Sequence, residues 1–434
     1  MRLKHMQFYG HFDARCDVAG FSVARMLALN PQHRVAPQEH EDGHFIARPG
    51  NMRGMNPPSP FRFCLRFCLR FWPRSRIHFA TGAPLRRQVL PCVLAALLSA
   101  CATPQPTPEE AERLAQDRAS LEALPGATSV LLQRHGRVAV ELYARGADAQ
   151  TLHDTRSVGK SVTGLLVAAA VQDGFLRRET PVFKEFADMQ PIANDGPAKR
   201  GIVVEDLLTM SSALDCDDNL PDSPGNEENM YPQPRWLRWA ADLPTRAVTR
   251  DSQGLGPFAY CTAGVFLLGQ VLERRAGGGL EAYAQRRLFA PMSISTWQWA
   301  RSPAGETMTG GGLRLRTRDW AALAQMLLRR GAGPDGQVLA PEQVAALLTV
   351  RHAPAARMAY GELFWRRDYE LSCGRASAWL MSGNGGNHVL VLPSLDAVAV
   401  LTRTHYNQRG MHQQSADFLT ALLERHVCGP ETKR

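Results

Sequence analysis

A serine and a lysine stand three positions apart at the start of an apolar segment. Ser157-Val158-Gly159-Lys160 is followed by apolar residues at helical spacing, which end at Asp173-Gly174. Residues three apart lie on one face of a helix, so we expect Lys160 to reach the Ser157 hydroxyl. A serine hydroxyl is a weak nucleophile at neutral pH and needs a base within hydrogen-bonding distance. The spacing is therefore typical of a nucleophile with its base, although a capped helix with a solvated lysine gives the same pattern.

Gly159 is a poor helix former, by about 1 kcal/mol relative to alanine. We interpret it as leaving space above the nucleophile.

Two further segments could supply chemistry. Tyr260 lies in Phe258–Gly264, at the entry to another apolar helix, and the Gly/Asn-rich stretch 382–387 directly precedes a strand. A phenol has an unperturbed pKa of about 10 and needs a nearby cation to act as a base, which Lys160 would supply. The alternatives are a core tyrosine at a helix entry and a plain Gly/Asn turn.

In this order the three segments resemble the S-x-x-K, Tyr-x-Asn and Lys-Thr-Gly elements of the β-lactamase and penicillin-binding-protein superfamily. The closest resemblance is to class C β-lactamases and their esterase and amidase relatives. The stretches 206–212, 310–315 and 360–365 also resemble that family, and the resemblance covers roughly residues 110–425.

The resemblance implies a role for each matching position. Ser157 would form an acyl-enzyme, with proton transfer shared by Lys160 and Tyr260. The backbone N–H groups of Ser157 and Asn387 would form the oxyanion hole. The positions that would contact the substrate or the oxyanion are Thr262, Asn384, Gly385, Gly386 and Asn387.

Two positions depart from the family pattern. Thr262 stands where the family often has Asn or Ser, and Asn384 stands where β-lactamases usually have Lys and many esterases have His. Without a cation at Asn384, a β-lactam carboxylate loses a charge-assisted partner. We therefore expect a serine hydrolase of esters or amides, close to 6-aminohexanoate-dimer hydrolase-like and esterase members, rather than an efficient β-lactamase. The alternatives are a D-alanyl-D-alanine carboxypeptidase and a catalytically silent envelope lipoprotein that binds peptidoglycan or a peptide.

The elements that must position these residues begin and end with strands. Thr107-Pro108-Glu109-Glu110 is a capping box that predicts a helix to about Leu124. Hairpins are predicted at 128–134 with 137–143 and at 388–392 with 397–403, and a final helix at 413–427. The helical patterns between them are 158–173, 203–210, 232–241, 262–275, 280–288, 318–330 and 341–349. We predict an α+β fold of the β-lactamase/transpeptidase-like type, with an antiparallel sheet from both chain ends flanked by helices and an inserted, mostly helical domain.

The N-terminal hundred residues differ from the rest. Arg86-Arg87, a short apolar run and small residues precede Cys101, which predicts a lipoprotein signal peptide over 81–101 with lipidation of Cys101. Residue 102 is Ala rather than Asp, which by resemblance to Gram-negative lipoproteins favours the outer membrane, facing the periplasm. Residues 102–109 are expected to be a tether and 110–428 the hydrolase domain. Our hypothesis for 1–80 is a non-native or disordered extension; the rival is a basic arm on the membrane surface.

Charge and composition narrow the partners. All of the net charge of +9 lies in 1–100, because 101–434 contains 36 basic and 36 acidic residues. A neutral body predicts no nucleic-acid partner. No C-x-x-C, Cys/His cluster or Walker-type loop occurs, so we expect no metal or other cofactor. We expect a monomer whose partners are the substrate, a small or peptide-like ester or amide, and the membrane through the lipid. A Cys216–Cys261 disulfide is a hypothesis, with two buried free thiols as the alternative.

Overall fold

The computed structural model describes residues 107–429, which belong to one structural unit, residues 101–434. The predictions for 1–80, for the signal peptide with Cys101 and for most of the tether lie outside the described residues. No helix within 107–429 is both long and apolar enough to cross a bilayer.

The centre of the fold is an eight-stranded antiparallel sheet with the strand order β2-β1-β11-β10-β9-β8-β7-β6. A small sheet, β3-β5-β4, lies apart from it. The strands are β1 (Ala127–Arg134), β2 (Arg137–Tyr143), β3 (His153–Asp154), β4 (Gln298–Trp299), β5 (Leu313–Leu315), β6 (His352–Ala355), β7 (Met358–Tyr360), β8 (Trp365–Leu371), β9 (Gly374–Gly383), β10 (Asn387–Leu392) and β11 (Ala397–Arg403).

Helices cover both faces of the sheet. They are α1 (Pro108–Ala123), α2 (Val158–Gln172), α3 (Pro197–Arg200), α4 (Val204–Leu208), α5 (Trp236–Asp242), α6 (Thr262–Arg275), α7 (Leu280–Ala284), α8 (Thr317–Leu328), α9 (Pro341–Leu347) and α10 (Met411–His426). Short 3₁₀ turns occur at Val182–Met189, Glu227–Asn229 and Pro393–Leu395, and a π turn at Gln285–Phe289 extends α7.

Alternation along the strands divides the interior into two cores. In β1, Leu131 points to the larger core, which α2, α6 and α8 complete, whereas Val130 and Leu132 point to the core beneath α1 and α10. The prediction of an α+β fold with the sheet built from both chain ends is confirmed. Both predicted hairpins occur within a residue of their expected bounds.

Two features differ from the sequence analysis. The pattern does not predict the four strands between His352 and Gly383, which extend the sheet. Helix α2, expected from apolar residues at helical spacing, is buried on every side rather than on one face, with thirteen of its fifteen residues buried. A helix surrounded on all sides is held rigidly, and this helix carries the candidate nucleophile at its N-terminus.

Candidate active site

Ser157 is the residue before α2, and its hydroxyl is not used to cap the helix. Instead, Lys160 Nζ donates a hydrogen bond to Ser157 Oγ at 2.9 Å and another to the Gly310 carbonyl oxygen at 2.6 Å. Lys160 is only 2% exposed. The buried amine is thus fixed by two bonds, one of them to the candidate nucleophile. The N-terminal end of the helix adds a field that favours negative charge at this place.

Gly159 allows close contact between α2 and the loop whose carbonyl binds Lys160. Our interpretation that it leaves space above the nucleophile is therefore wrong. A Cβ at Gly159 would lie 3.3 Å from the backbone of Gly311, so the helix and the 310–312 loop are in direct contact there. Gly311 in turn lies close to the carbonyl of Arg156. The glycine brings the Gly310 carbonyl within reach of Lys160 rather than leaving space above Ser157.

Tyr260 completes the group predicted to carry out proton transfer. Lys160 Nζ lies 5.0 Å from the centroid of its ring. Burial raises the pKa of the Tyr260 phenol, while Lys160 and Ser157 act in the opposite direction. The structure therefore brings Ser157, Lys160 and Tyr260 together.

Segment 206–212, which resembles the family in sequence, fixes the backbone directly before Tyr260. The Met210 carbonyl accepts a hydrogen bond from Ala259 N–H at 2.8 Å. On the other side, the sulfurs of Cys216 and Cys261 are 2.06 Å apart, so the pair we considered for a disulfide is bonded. A second disulfide, Cys373–Cys428, was not expected from the sequence.

Asp218 is a partly buried acid beside this group that the sequence analysis missed. Its Oδ2 accepts a hydrogen bond from Thr262 N–H at 2.8 Å, and its own N–H donates to the Tyr260 carbonyl at 2.8 Å. Burial raises the pKa of Asp218 to about 6, which Lys160 opposes and Glu227 reinforces. The signal available in the sequence was an acidic pair, 217–218, directly after a cysteine.

Gly383, the last residue of β9, lies against the backbone of the nucleophile. A Cβ on Gly383 would be 2.0 Å from the Thr155 carbonyl oxygen and 3.2 Å from Ser157 N. Asn387, whose backbone N–H is the predicted second oxyanion donor, is paired with Gly383 across the hairpin. Its side-chain amide donates to the carbonyls of Asn384 and Arg403 and accepts from Arg403 N–H. The Asn387 side chain thus stabilises the hairpin, and the strand end beside Ser157 is Gly383.

The other residues predicted to bind substrate are also engaged within the fold. Gly385 and Gly386 have φ of +90° and +79°, and a Cβ on Gly386 would meet α10. The Asn384 side-chain amide donates to Asn407 Oδ1 and accepts from Asn407 N–H at 2.8 Å. Thr262 is fully buried, its methyl side faces Gly310, and its hydroxyl has no hydrogen-bond partner among residues 107–429. Direct contact of these residues with substrate stays a prediction.

An aromatic wall stands beside Tyr260. The ring of Trp365 stacks on it with centroids 5.8 Å apart and an interplanar angle of 25°. Phe258 and Tyr360 meet Trp365 edge-on. This wall gives the site an apolar side, which suits the carbon skeleton of a substrate. Within the described part of the chain, no group of three or more His, Cys, Asp or Glu side chains is arranged to hold a metal ion.

Known proteins resemble this chain in sequence and in fold. The chain is 26% identical over 235 residues to a 6-aminohexanoate-dimer hydrolase of Paenarthrobacter ureafaciens. That match covers 50% of this chain and 56% of the relative, so this chain spans only about half the length of that enzyme in the match.

Solved structures share the fold at low identity. A Bacillus anthracis protein named as a 6-aminohexanoate-dimer hydrolase superposes with a TM-score of 0.59 at 14% identity, over 74% of this chain and 82% of that chain. EstCE1, a hydrolase with promiscuous acyltransferase activity, superposes with a TM-score of 0.56 at 16% identity, over 72% and 98%.

The family model described as Beta-lactamase matches residues 112–422, which is most of the described chain and includes every residue of the candidate site. With the S-x-x-K pair, the partly buried tyrosine and the sheet assembled from both ends, the protein belongs to the Beta-lactamase family.

Proposed function

We propose that this protein is a serine hydrolase that cleaves an ester or amide through an acyl-enzyme on Ser157. The observation that carries the proposal is the 2.9 Å hydrogen bond between Lys160 Nζ and Ser157 Oγ at the head of a buried helix. A nucleophile needs its proton-transfer partner within hydrogen-bonding distance before the substrate arrives.

Proton transfer follows from the surroundings of the three groups. As Ser157 Oγ attacks the carbonyl carbon, the Tyr260 oxygen takes its proton while the phenol passes its own proton on, and Lys160 stays hydrogen-bonded to Ser157 Oγ. The raised pKa of the phenol keeps it protonated in the resting protein, so Tyr260 is suited to donate a proton to the departing alcohol or amine. Water then attacks the acyl-enzyme with the same groups in the reverse direction.

The developing oxyanion requires backbone donors. The first is Ser157 N–H at the helix N-terminus, and we assign the second to the end of β9 at Gly383. This assignment replaces Asn387, and it is supported by the close approach of Gly383 to Ser157 N. Removing one such donor typically lowers the rate by about 10²–10³-fold.

An ester or amide is favoured as the substrate class by two observations. The relative from Paenarthrobacter is named for the hydrolysis of an amide dimer. Asn384, where β-lactamases usually carry a cation, is hydrogen-bonded to Asn407 and supplies none. The same absence weighs against a D-alanyl-D-alanine carboxypeptidase. The retention of Ser157 and Lys160 in hydrogen-bonding contact, with Tyr260 beside them, weighs against a silent binding protein.

Labelling tests this function directly. The purified 102–434 chain is treated with a fluorophosphonate and its intact mass compared with that of the Ser157→Ala variant. A single adduct that disappears in the variant supports an activated serine, and an ester, amide and β-lactam panel then identifies the substrate class. No adduct in either protein would move our proposal to a silent peptidoglycan- or peptide-binding protein.

Anchoring to the outer membrane through a lipid on Cys101 is a separate proposal, based on the sequence 86–101. Metabolic labelling with a fatty acid, compared between the native protein and Cys101→Ser, tests it; equal labelling of both would contradict it. Mass spectrometry of the native protein tests the N-terminal extension, because any peptide from residues 1–75 would show that the extension is made and retained.

A further inference from the structure

A cavity of about 460 Å³ lies beside the residue that precedes the nucleophile. Its walls come from the 145–156 segment, from Arg314 on β5, and from the end of β11 with the residues that follow it. Arg156, one of the lining residues, is the covalent neighbour of Ser157. The volume is within the range of small-molecule sites, which are roughly 300–1,000 Å³.

The charged residues that line this cavity are mostly positive. Four arginines line it, against a single carboxylate, that of Asp154. Asp154 Oδ2 is 3.4 Å from Arg314 and 3.8 Å from Arg156, so one acid is shared by two cations. Arg145 donates to the backbone carbonyls of Ala127 and Glu122 and, within residues 107–429, has no acidic side chain at ion-pair distance.

Arg403 is the most unusual member of the group, because it is 1% exposed and surrounded by neutral acceptors. Its guanidinium donates to the carbonyls of Pro125 and Met411, to Ser415 Oγ and to Gln414 Oε1. Burial, followed by the charge of Arg145, lowers the pKa of Arg403 to about 10. The group therefore stays charged at neutral pH, and an anion in the cavity would offset part of the cost of burying it.

The other residues that line the cavity do not neutralise the positive charge of the arginines. His153 is buried, and its Nδ1 lies 3.2 Å from the hydroxyls of Thr128 and Thr402. Burial lowers the pKa of His153 to about 4, so the ring is neutral near pH 7. Tyr406 donates its hydroxyl to the Asp154 carbonyl, and its ring lies 4.2 Å from the Arg156 guanidinium. Tyr406 thus holds Arg156 at the cavity, next to the nucleophile.

We propose that this cavity binds a carboxylate carried by the substrate, a short distance from the bond that Ser157 attacks. The inference rests on the proposed hydrolase function and narrows its substrates to esters or amides that carry a free carboxylate. A guanidinium suits this ligand because its planar donors match two carboxylate oxygens. Asn384 does not line this cavity, so the carboxylate would be held at a different place from the one that the family's usual cation occupies.

The test compares two substrates that differ only in charge. Mono-p-nitrophenyl glutarate carries a free carboxylate, and its methyl ester has the same acyl chain without the charge. We expect the wild-type protein to have a higher kcat/KM for the acid, and Arg314→Gln to reduce the ratio of the two values by about tenfold or more, the usual effect of losing a hydrogen bond to a charged group. Arg318→Gln removes the same charge from an arginine on α8 that pairs with Glu141 and should leave the ratio unchanged.

A second measurement does not depend on turnover. Calorimetry measures the binding of glutarate, with dimethyl glutarate as the neutral control, to Ser157→Ala and to Ser157→Ala combined with Arg314→Gln. Binding of glutarate alone, weakened by the arginine substitution, supports the proposal. No binding, or equal kcat/KM for the acid and its methyl ester, overturns it. If neither ester is hydrolysed, the proposed function fails, and the binding measurement alone decides whether the cavity is a carboxylate site.

Discussion

Replacing Gly383 with alanine tests how the strand end is placed against the nucleophile. The added Cβ would come 2.0 Å from the Thr155 carbonyl oxygen, whereas real Cβ atoms essentially never approach within 3.0 Å. Gly383 does not have a positive φ, so alanine adds a steric contact without backbone strain. β9 must therefore move back by about 1 Å, at a cost of about 1–3 kcal/mol for overpacking.

The catalytic cost of this shift should be larger than the cost in stability. A displacement of about 1 Å typically lowers a rate by about 10²-fold, and the loss of an oxyanion donor by about 10²–10³-fold. We expect the kcat/KM of Gly383→Ala to fall by about 10²–10³-fold for any ester that the wild-type protein hydrolyses, while circular dichroism reports an intact fold. The matched control is Gly277→Ala, where the structure has no atom within 4 Å of the new Cβ. A Gly383→Ala protein with wild-type kcat/KM would refute the placement of β9 beside Ser157.

Three further predictions concern the surroundings of the nucleophile. Tyr260→Phe should lower kcat by about 10²-fold or more with little change in thermal stability, because it removes only the hydroxyl; unchanged kcat would exclude the phenol from proton transfer. Because the pKa of Asp218 rises from 3.8 to about 6 on folding, the folded protein holds this proton more tightly than the unfolded chain. Its contribution to stability is fully present below pH 4 and is lost as the pH rises through 6. Asp218→Asn should therefore gain up to roughly 3 kcal/mol relative to wild type between pH 4 and pH 7 in urea unfolding, and a constant difference would contradict the burial argument. The Cys216–Cys261 disulfide closes a 45-residue separation, and breaking it by Cys216→Ser with Cys261→Ser should lower the free energy of unfolding by about 2–4 kcal/mol. In the unsubstituted 102–434 chain, four free thiols in denatured, unreduced protein would show that neither disulfide forms.

The elements with a strong local pattern could be predicted from the sequence. The capping box at Thr107–Glu110 and the apolar runs of β10 and β11 identify their elements through neighbouring residues alone. β9 has a weaker signal, because its inward residues include the small side chains of Ala376 and Ala378. It is stabilised by pairing with β8 and β10, and pairing between strands cannot be deduced from the composition of one strand.

The candidate site likewise contains residues whose contacts the sequence predicts and residues whose contacts it does not. Ser157 and Lys160 are neighbours on one helix, so their contact follows from helical geometry. Asp218 and Arg403 reach their places only through the packing of segments distant in sequence, and no local pattern distinguishes them from surface residues of the same type.

The Gly/Asn-rich hairpin shows most clearly why resemblance to a motif does not decide which atom faces the substrate. The resemblance implied the backbone N–H of Asn387 as the second oxyanion donor. The strand register instead pairs Asn387 with Gly383 and turns the Asn387 amide toward Arg403. Arg403 is one of the cations that line the proposed carboxylate cavity. The hairpin can therefore serve both parts of the site, with Gly383 beside the nucleophile and Asn387 fixing the strand end from which Arg403 extends.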